Sequence, residues 1–225
     1  MHRLRAGDRG RRRTALTEPP EEVVRRGYDA IAERYAEWAA SFESPALHWV
    51  KALLTRLPEG SDVLELGCGG GGPATRALAA HHRVVGVDLS ERQLERARRL
   101  VPQGRFVHAD VTQLDLEPGS FDAVVSLFLF GHIPRAKQRP LVGRVFDWLR
   151  PNGWLLGTLG TADAAGEIVD EWLGAPMFFA SHDESWNRET LLGAGFVLED
   201  VRVVPFEEPG HGVVRFMWVL ARKPA

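Results

Sequence analysis

The most restrictive feature of this chain is a short apolar stretch that runs into a glycine-rich turn. Residues 63–72 read Val-Leu-Glu-Leu-Gly-Cys-Gly-Gly-Gly-Gly, so five of these ten residues are glycine. Glycine adopts positive φ without steric cost and has no side chain to hold the backbone away from a ligand. A strand entering such a run predicts a turn where the main chain lies close to a bound molecule. A flexible linker is less consistent with the helix-favouring residues 74–80 that follow directly.

Length and composition fit one α/β domain. The chain has 225 residues, of which 44% are hydrophobic and 26% charged, enough to bury a core on both faces of a sheet. We expect no membrane segment, because no apolar stretch approaches the roughly 20 residues that span a bilayer. The basic N-terminus lacks the apolar centre of a secretory signal, and Cys68 is the only cysteine. We therefore expect a cytoplasmic protein without disulfides.

Charge is distributed unevenly along the chain. The first 13 residues carry six arginines against one aspartate, a net charge of +5, which leaves −7 for the remainder of a chain whose net charge is −2. Arginines interleaved with glycine and without aromatic residues predict a disordered basic tail over residues 1–18, followed by one domain over residues 19–225. The acidic body would repel a phosphate backbone, so we expect no nucleic-acid partner.

Two amphipathic helices are predicted within residues 21–57. In the first, apolar side chains at spacings of three and four share one face; they are Val24, Tyr28, Ile31, Tyr35 and Trp38. The second begins where Ser44 can cap it and Pro45 can occupy its first turn. Its predicted inward-facing residues are Leu47, Val50, Leu54 and Leu57.

From residue 63 onward, predicted strands alternate with helical segments. The strands are placed at residues 63–66, 84–88, 105–109, 121–127, 154–159, 196–204 and 213–221. Apolar, valine-rich strands that alternate with helices indicate a mostly parallel sheet covered on both faces. The predicted fold class is therefore α/β, a three-layer sandwich.

A carboxylate follows the second predicted strand at the edge where the glycine turn also lies. Asp88 stands 21 positions after Gly67, and a carboxylate in this place can accept hydrogen bonds from both hydroxyls of a ribose. Ser90 and Gln93 form a capping box for the next helix. Glycine turn and acid together predict a nucleoside-containing cofactor, either a nicotinamide dinucleotide or a cationic sulfonium compound. Glu65, a carboxylate within the first strand, favours the cationic ligand.

The pattern Glu65-x-Gly67-x-Gly69-x-Gly71 resembles the first motif of class I S-adenosylmethionine-dependent methyltransferases. The resemblance extends over residues 22–223 and includes Ala109-Asp110-Val111 and the segments 121–126, 149–154 and 194–196. It implies a Rossmann-like fold with seven strands in the order 3-2-1-4-5-7-6 and an antiparallel last strand. It also implies S-adenosylmethionine as cofactor, S-adenosylhomocysteine as product, and no metal.

The resemblance assigns cofactor-binding roles by position. Glycines 67, 69 and 71 would approach the methionine and ribose portions, Asp88 would hold the ribose, and Leu89 would pack on adenine. Asp110 and Val111 would bind the exocyclic amine, and Leu127 would lie near the methionine. The full predicted set is Tyr28, Glu65, Gly67, Gly69, Gly71, Asp88, Leu89, Gln93, Asp110, Val111 and Leu127. Tyr28 and Tyr35 on the first helix would close over the cofactor.

The acceptor side is predicted from residues after the fourth strand and from the segment 160–186. His132 would face the transferring methyl, where an imidazole with an ordinary pKa of about 6.5 can remove a proton, and Tyr35 would share this catalytic wall. The segment 160–186 concentrates bulky side chains and is predicted, with the helices in 21–57, to form a lid. The predicted acceptor contacts are Phe128, Phe130, Phe178, His182 and Arg215.

The predicted function is methyl transfer to oxygen or nitrogen of a small molecule by a monomer or homodimer. A nicotinamide-dependent reductase is the alternative enzyme, disfavoured by Glu65 and by the absence of a Tyr-x-x-x-Lys pair. A cyclase or another S-adenosylmethionine-binding protein that transfers no methyl is a further alternative. His182, Glu207, Glu208 and His211 are potential metal ligands, but their spacing matches no compact metal motif.

Overall fold

The computed structural model describes residues 18–225. The predicted disordered tail therefore lies outside the described residues, apart from Glu18, which forms an ion pair with Arg26. The helices are α1 (Pro20–Ala40), α2 (Ala46–Leu54), α3 (Pro73–Ala79), α4 (Glu91–Leu100), α5 (Arg135–Trp148) and α6 (Glu184–Gly193). None of the described helices is long and apolar enough to cross a membrane.

Nine strands form two sheets in the described part of the chain. They are β1 (Asp62–Leu66), β2 (Arg83–Asp88), β3 (Arg105–His108), β4 (Phe121–Ser126), β5 (Leu149–Leu159), β6 (Ala164–Trp172), β7 (Ala175–Ser181), β8 (Val197–Glu208) and β9 (Gly212–Arg222). The large sheet has the order β3-β2-β1-β4-β5-β9-β8, and β6 pairs only with β7.

The strand order of the large sheet confirms the predicted fold class. Strands β3, β2, β1, β4 and β5 pair in parallel, and β9 runs antiparallel to both β5 and β8. When only the strands of this sheet are counted, the order is 3-2-1-4-5-7-6. The carboxyl ends of β1, β2 and β4 consequently meet at one edge of the sheet.

Successive residues of the central strands enter cores on opposite faces of the sheet. Val63 packs with Trp49 and Leu53 of α2, whereas Leu64 packs with Leu141 and Val145 of α5. This alternation is the side-chain period of a strand buried on both faces. The central strands therefore present apolar side chains on both faces, and a layer of helices packs on each face.

The hairpin β6–β7 was not predicted as strand, since residues 164–172 contain a glycine and three acidic residues and do not alternate regularly between apolar and polar side chains. It packs on α1 and forms a third core with it, containing Val24, Ile31, Met177 and Phe178. Gly27 permits this close approach, because a Cβ there would lie 2.7 Å from the Pro176 carbonyl oxygen. The segment predicted to be a lid is thus largely a structured hairpin that covers α1.

The second helix is shorter than predicted, and one of its four predicted inward-facing residues is exposed; Val50 is buried, and Leu54 and Leu57 pack against the same core. Ser44 Oγ accepts a hydrogen bond from the Ala46 N–H at 3.2 Å, and the helix ends at Leu54. Its buried residues are Trp49, Val50 and Leu53. Leu47 is 39% exposed, so its predicted inward position is wrong. Trp49 of α2 lies over the sheet and stacks on Trp218, with ring centroids 5.7 Å apart.

Candidate active site

A cavity lies at the carboxyl edge of the large sheet, beneath α1. It encloses about 790 Å³, including its opening to solvent. Its walls come from α1, from the turns that follow β1, β2 and β4, and from the short 3₁₀ helix Val111–Gln113 after β3. The predicted residues in its lining are Tyr28, Tyr35, Gly67, Gly69, Asp88, Leu89, Gln93, Asp110, Val111, Leu127, Phe128 and His132.

The glycine turn is tied to the acid at the end of β2. Gly67 and Gly69 have φ values of +70° and +53°, a region that side chains disfavour. The Gly69 N–H donates to Asp88 Oδ2 at 2.8 Å, and the Ser90 N–H donates to Asp88 Oδ1 at 2.9 Å. Burial raises the pKa of Asp88, although these backbone hydrogen bonds oppose the rise. The carboxylate is therefore held in one orientation beside the turn, with lone pairs left for a ligand.

Gly71 packs closely against α4. Its φ is +72°, and a Cβ added to it would lie 2.9 Å from the Ala97 Cα of α4. It does not line the cavity. Glycine at this position therefore serves the packing of the turn against α4, and the predicted contact with the cofactor is not supported.

Gln93 lines the cavity and carries a buried amide that has no hydrogen-bond partner within the described residues. Its side chain is 1% exposed, and neither its Oε1 nor its Nε2 has a hydrogen-bond partner among the described residues. Its backbone N–H donates to Ser90 Oγ at 3.2 Å, which caps α4. A buried amide without partners is costly, and hydroxyl groups of a ribose beside Asp88 would supply both a donor and an acceptor.

Glu65 lies behind the glycine turn and does not line the cavity. Thr75 Oγ1 donates to its Oε1 at 3.1 Å, and its Oε2 has no partner within the described chain. Burial raises the pKa of Glu65 to about 8, Thr75 opposes the rise, and the charge of Asp88 adds to it. Glu65 is therefore a buried carboxyl behind the turn, and the cavity lining does not support its predicted direct contact with the cofactor.

Asp110 and Val111 form the wall that follows β3. Asp110 accepts hydrogen bonds from the Thr112 N–H at 2.8 Å and from Thr112 Oγ1 at 2.9 Å. These bonds cap the short helix and fix the carboxylate at the cavity wall. Leu89 lies on the opposing turn and also packs with the core of α1 and the hairpin. This part of the cavity is a narrow space between an apolar side chain and an anchored acid.

Beyond β4 the backbone turns sharply at Phe128. This residue has a φ of +58°, and its N–H donates to Thr158 Oγ1 at 2.5 Å. Its ring packs edge-on against Phe216 and Trp218. A non-glycine residue in the left-handed region persists where surrounding contacts enforce it, commonly at functional sites.

His132 and Tyr28 meet at the outer wall of the cavity. Tyr28 Oη lies 2.9 Å from His132 Nε2, and His132 Nδ1 lies 2.9 Å from the Phe178 carbonyl oxygen. Burial lowers the pKa of His132 to about 4, and the Phe178 carbonyl opposes this shift. Tyr35 packs edge-on against Tyr28 with ring centroids 5.3 Å apart, and burial raises the pKa of Tyr35 to about 12. At neutral pH all three side chains are uncharged.

Two of the predicted acceptor contacts are buried in hydrophobic cores. Phe130 is 5% exposed and packs beneath the sheet with Leu155 and Leu159, away from the cavity. Phe178 is 2% exposed and lies in the third core, where its ring would contact a Cβ at Gly166. The structure does not support acceptor contact by either ring, although the carbonyl group of Phe178 orients His132.

His182 and Arg215 also lie outside the cavity lining, so Phe128 alone of the five predicted acceptor contacts lines it. His182 is buried and stacks on Trp186 with centroids 3.4 Å apart, and Arg135 Nη2 lies 2.8 Å from its Nδ1. Burial, with the nearby charge of Arg135, lowers the pKa of His182. Arg215 is exposed on β9. Among residues 18–225, no three His, Cys, Asp or Glu side chains are grouped so that they could hold a metal ion.

Polar links between α1 and the rest of the site were missed by sequence reasoning. Ser90 Oγ donates to Asp29 Oδ1 at 2.7 Å, and Lys137 Nζ donates to Glu21 Oε1 at 3.1 Å at the mouth of the cavity. These pairs join residues 61 and 116 positions apart. No local pattern signals such contacts, because they arise only when α1 is placed across the sheet edge.

Comparison with known proteins agrees with this geometry. Residues 63–153 match the model of a methyltransferase domain family. The ubiquinone biosynthesis O-methyltransferase of Idiomarina loihiensis is 30% identical over 174 residues, which cover 66% of this chain and 69% of that protein. The 27-O-demethylrifamycin SV methyltransferase of Amycolatopsis mediterranei is 29% identical, and the match covers 62% of this chain and 59% of that protein.

Solved structures show the same fold. The magnesium protoporphyrin IX methyltransferase of Synechocystis PCC 6803 with bound S-adenosylmethionine has a TM-score of 0.72 at 17% identity, covering 93% of this chain and 100% of that one. The [4+2]-cyclase SpnF has a TM-score of 0.70 at 18% identity, covering 96% and 100%. The chain belongs to the class I S-adenosylmethionine-dependent methyltransferase family.

Proposed function

We propose that this protein transfers the methyl group of S-adenosylmethionine to a small-molecule acceptor. One observation carries the proposal: the Gly67–Gly69 turn is bonded to Asp88 and lies beside Gln93, whose buried amide has no partner. Asp88 and Gln93 would hold the ribose, with Leu89 packed on the adenine. Asp110 and Val111 would contact the adenine edge, and Leu127 would lie near the methionine portion. Each of these residues lines the cavity.

The cofactor supplies an electrophilic methyl group on a sulfonium ion. The protein's own contribution is to bind both reactants, align them and exclude water, which lowers the entropic part of the barrier. Tyr28 and Tyr35 extend from α1 into the cavity, and the hairpin β6–β7 packs on α1. We propose that these two elements form the lid predicted for residues 21–57 and 160–186.

The acceptor is proposed to be a small molecule because the cavity lies under α1 and its lining is largely apolar. Phe128 and Leu129 line the cavity near His132 and offer apolar contact area. Relatives act on small molecules according to their names, among them ubiquinone biosynthesis intermediates and demethylrifamycin SV. Oxygen and nitrogen are the proposed acceptor atoms. The single cysteine supports a reducing compartment such as the cytoplasm.

Calorimetry with three ligands tests the cofactor. We expect binding of S-adenosylmethionine and S-adenosylhomocysteine and none of NAD, and we expect Asp88→Asn to weaken both interactions. Tight binding of NAD without S-adenosylmethionine would instead support the nicotinamide-dependent reductase. Release of S-adenosylhomocysteine in proportion to product separates methyl transfer from the cyclase alternative, which the likeness to SpnF keeps open.

A further inference from the structure

The hydrogen bonds around His132 define which of its nitrogen atoms carries the proton. A carbonyl oxygen only accepts hydrogen bonds, so the 2.9 Å contact between His132 Nδ1 and the Phe178 carbonyl requires a proton on Nδ1. In a neutral imidazole the other nitrogen is then a bare acceptor. The 2.9 Å contact between Tyr28 Oη and His132 Nε2 must therefore be a bond that the tyrosine donates.

This orientation leaves Tyr28, and not His132, with a free acceptor site. The tyrosine oxygen has two lone pairs, and no other hydrogen bond to it is present among the described residues. Tyr28 lines the same cavity as Leu127 and Gly67. His132 Nε2, by contrast, is already engaged by the tyrosine hydroxyl.

We propose that Tyr28 and His132 form a proton relay that serves a hydroxyl acceptor, with Tyr28 as the group that touches the acceptor. This inference rests on the proposed methyl transfer and narrows its acceptor to an alcohol or phenol. Tyr28 is then the catalytic residue, and His132 acts through it. Phe178 contributes its carbonyl group as the fixed end of the relay.

The step balances without any further reactant. The acceptor oxygen forms a bond to the methyl carbon while the bond from that carbon to sulfur breaks, and the electron pair of the broken bond remains on sulfur. The acceptor proton passes to Tyr28 Oη, and the tyrosine's own proton passes to His132 Nε2. The products are a methyl ether, neutral S-adenosylhomocysteine and a positively charged imidazolium, so the positive charge moves from sulfur to His132.

The surroundings of His132 hold its imidazole in the neutral form before the reaction. The ring is enclosed by Tyr28, Trp172 and Phe179 at centroid distances of 5.3, 6.2 and 4.9 Å, and no ion pair to it is present in residues 18–225. Before transfer, burial keeps the imidazole in the neutral form that can accept a proton. The same burial disfavours the imidazolium, so the ring releases the proton to solvent before the next cycle. A neutral amine attacks with a free lone pair and does not need its proton removed during transfer, whereas a hydroxyl gains from a positioned base.

The tautomer is tested first, by NMR of protein labelled with ¹⁵N-histidine. The His132 signals are those lost in His132→Gln. We expect a neutral ring with the proton on Nδ1, and a downfield shift of the Nε2 resonance in Tyr28→Phe, which keeps the aromatic ring and removes only the hydroxyl. A proton on Nε2, or an Nε2 resonance that does not move in Tyr28→Phe, would refute the relay.

Turnover is then measured on a panel of simple phenols and catechols with matched aromatic amines. We expect a hydroxyl compound to be methylated, with kcat lowered roughly 10²- to 10³-fold in both Tyr28→Phe and His132→Gln, the range of general base catalysis. The double variant should be no slower than either single one, since both remove the same relay. Affinity for S-adenosylmethionine should change less than about twofold, and His48→Gln, an exposed histidine on α2, should match the wild type.

Other results would contradict the relay alone, or the proposed methyl transfer as well. Methylation restricted to amines, or full turnover of a phenol by Tyr28→Phe, overturns the relay while methyl transfer stands. Absence of S-adenosylmethionine binding overturns the proposed function itself. Binding without methylation of any hydroxyl compound in the panel counts against the relay.

Discussion

Asp88 accepts a hydrogen bond from the backbone of Gly69 at 2.8 Å, so the acid at the end of β2 also holds the glycine turn that follows β1. The glycine turn and the acid after β2 are thus held together by a direct hydrogen bond. Removing the charge of Asp88 should disturb both the turn and the proposed contact with the ribose.

We therefore expect Asp88→Asn to weaken S-adenosylmethionine binding roughly 10- to 100-fold, the effect of losing hydrogen bonds to a charged group. Isothermal calorimetry measures this directly. The matched control is Asp115→Asn, which alters an exposed acid in the loop after the 3₁₀ helix Val111–Gln113. This variant should bind S-adenosylmethionine as the wild type does. Equal affinity in both variants would show that Asp88 does not contact the ribose.

Two neighbouring glycines should respond differently to the same added methyl group. In Gly71→Ala the new Cβ would lie 2.9 Å from Ala97 Cα with φ at +72°, so we expect a loss of about 1–3 kcal/mol in the free energy of unfolding. In Gly72→Ala the methyl group meets nothing within 4 Å at an ordinary φ of −65°. Urea unfolding should find this second variant as stable as the wild type.

Glu65 should make the protein less stable as the pH rises. Its folded-state pKa of about 8 lies above the ordinary value of 4.5, so the folded state binds the additional proton between these two values. Stability from this group is complete below pH 4.5 and is lost as pH rises towards 8. Glu65→Gln should therefore gain up to about 3 kcal/mol relative to the wild type between pH 5.5 and 8. Urea unfolding at both pH values checks the sign, and an unchanged difference would contradict it.

His132 should make the protein less stable as the pH falls, and over a lower pH range than Glu65. Its folded-state pKa is lowered from 6.5 to about 4 by burial, so the unfolded state binds more protons between these values. The corresponding stability is present above pH 6.5 and is lost as pH falls to 4. Replacing His132 with glutamine should reduce the acid sensitivity of unfolding by up to about 3 kcal/mol. Urea unfolding of both proteins at pH 4 and pH 6.5 measures this difference, and an equal loss of stability in wild type and variant would contradict it.

The contact between Asp29 and Ser90 should hold α1 over the site. Ser90 Oγ and the Arg92 N–H both donate to Asp29 Oδ1, at 2.7 and 3.3 Å. In Asp29→Asn we expect faster hydrogen exchange in α1, from a local destabilisation of about 1 kcal/mol. Glu37→Gln changes an exposed acid of the same helix and should exchange as the wild type does. Protection that is identical in both variants would show that hydrophobic packing alone holds α1.

Much of the fold and of the cofactor side was predictable because local patterns report it. Strand β1 carries Val63, Leu64 and Leu66 and enters a glycine turn, and Asp88 follows β2 at a fixed separation. These features act within a few residues of the chain. The structure also places Leu89, Gln93 and Asp110 in the cavity lining, as the sequence predicted, although their roles remain proposals.

The acceptor side was predicted poorly because residue type does not reveal side-chain direction. Phe130 and Phe178 are bulky and near the site in sequence terms, yet both point into cores. The hairpin that buries Phe178 lacked a clear strand pattern. The bond between Tyr28 and His132 joins residues 104 positions apart, so only the packing of α1 across the sheet edge creates it.

The core shared by α1 and the hairpin β6–β7 contains Ile31, Met177 and Phe178, and none of its fully buried residues belongs to the two cores of the large sheet. Substitutions in it can alter the outer wall of the cavity while the sheet keeps its packing. The acceptor specificity of such a protein can therefore change through substitutions in α1 and the hairpin while the packing of the large sheet is kept. Directed evolution of this chain should accordingly concentrate its mutations on that smaller core.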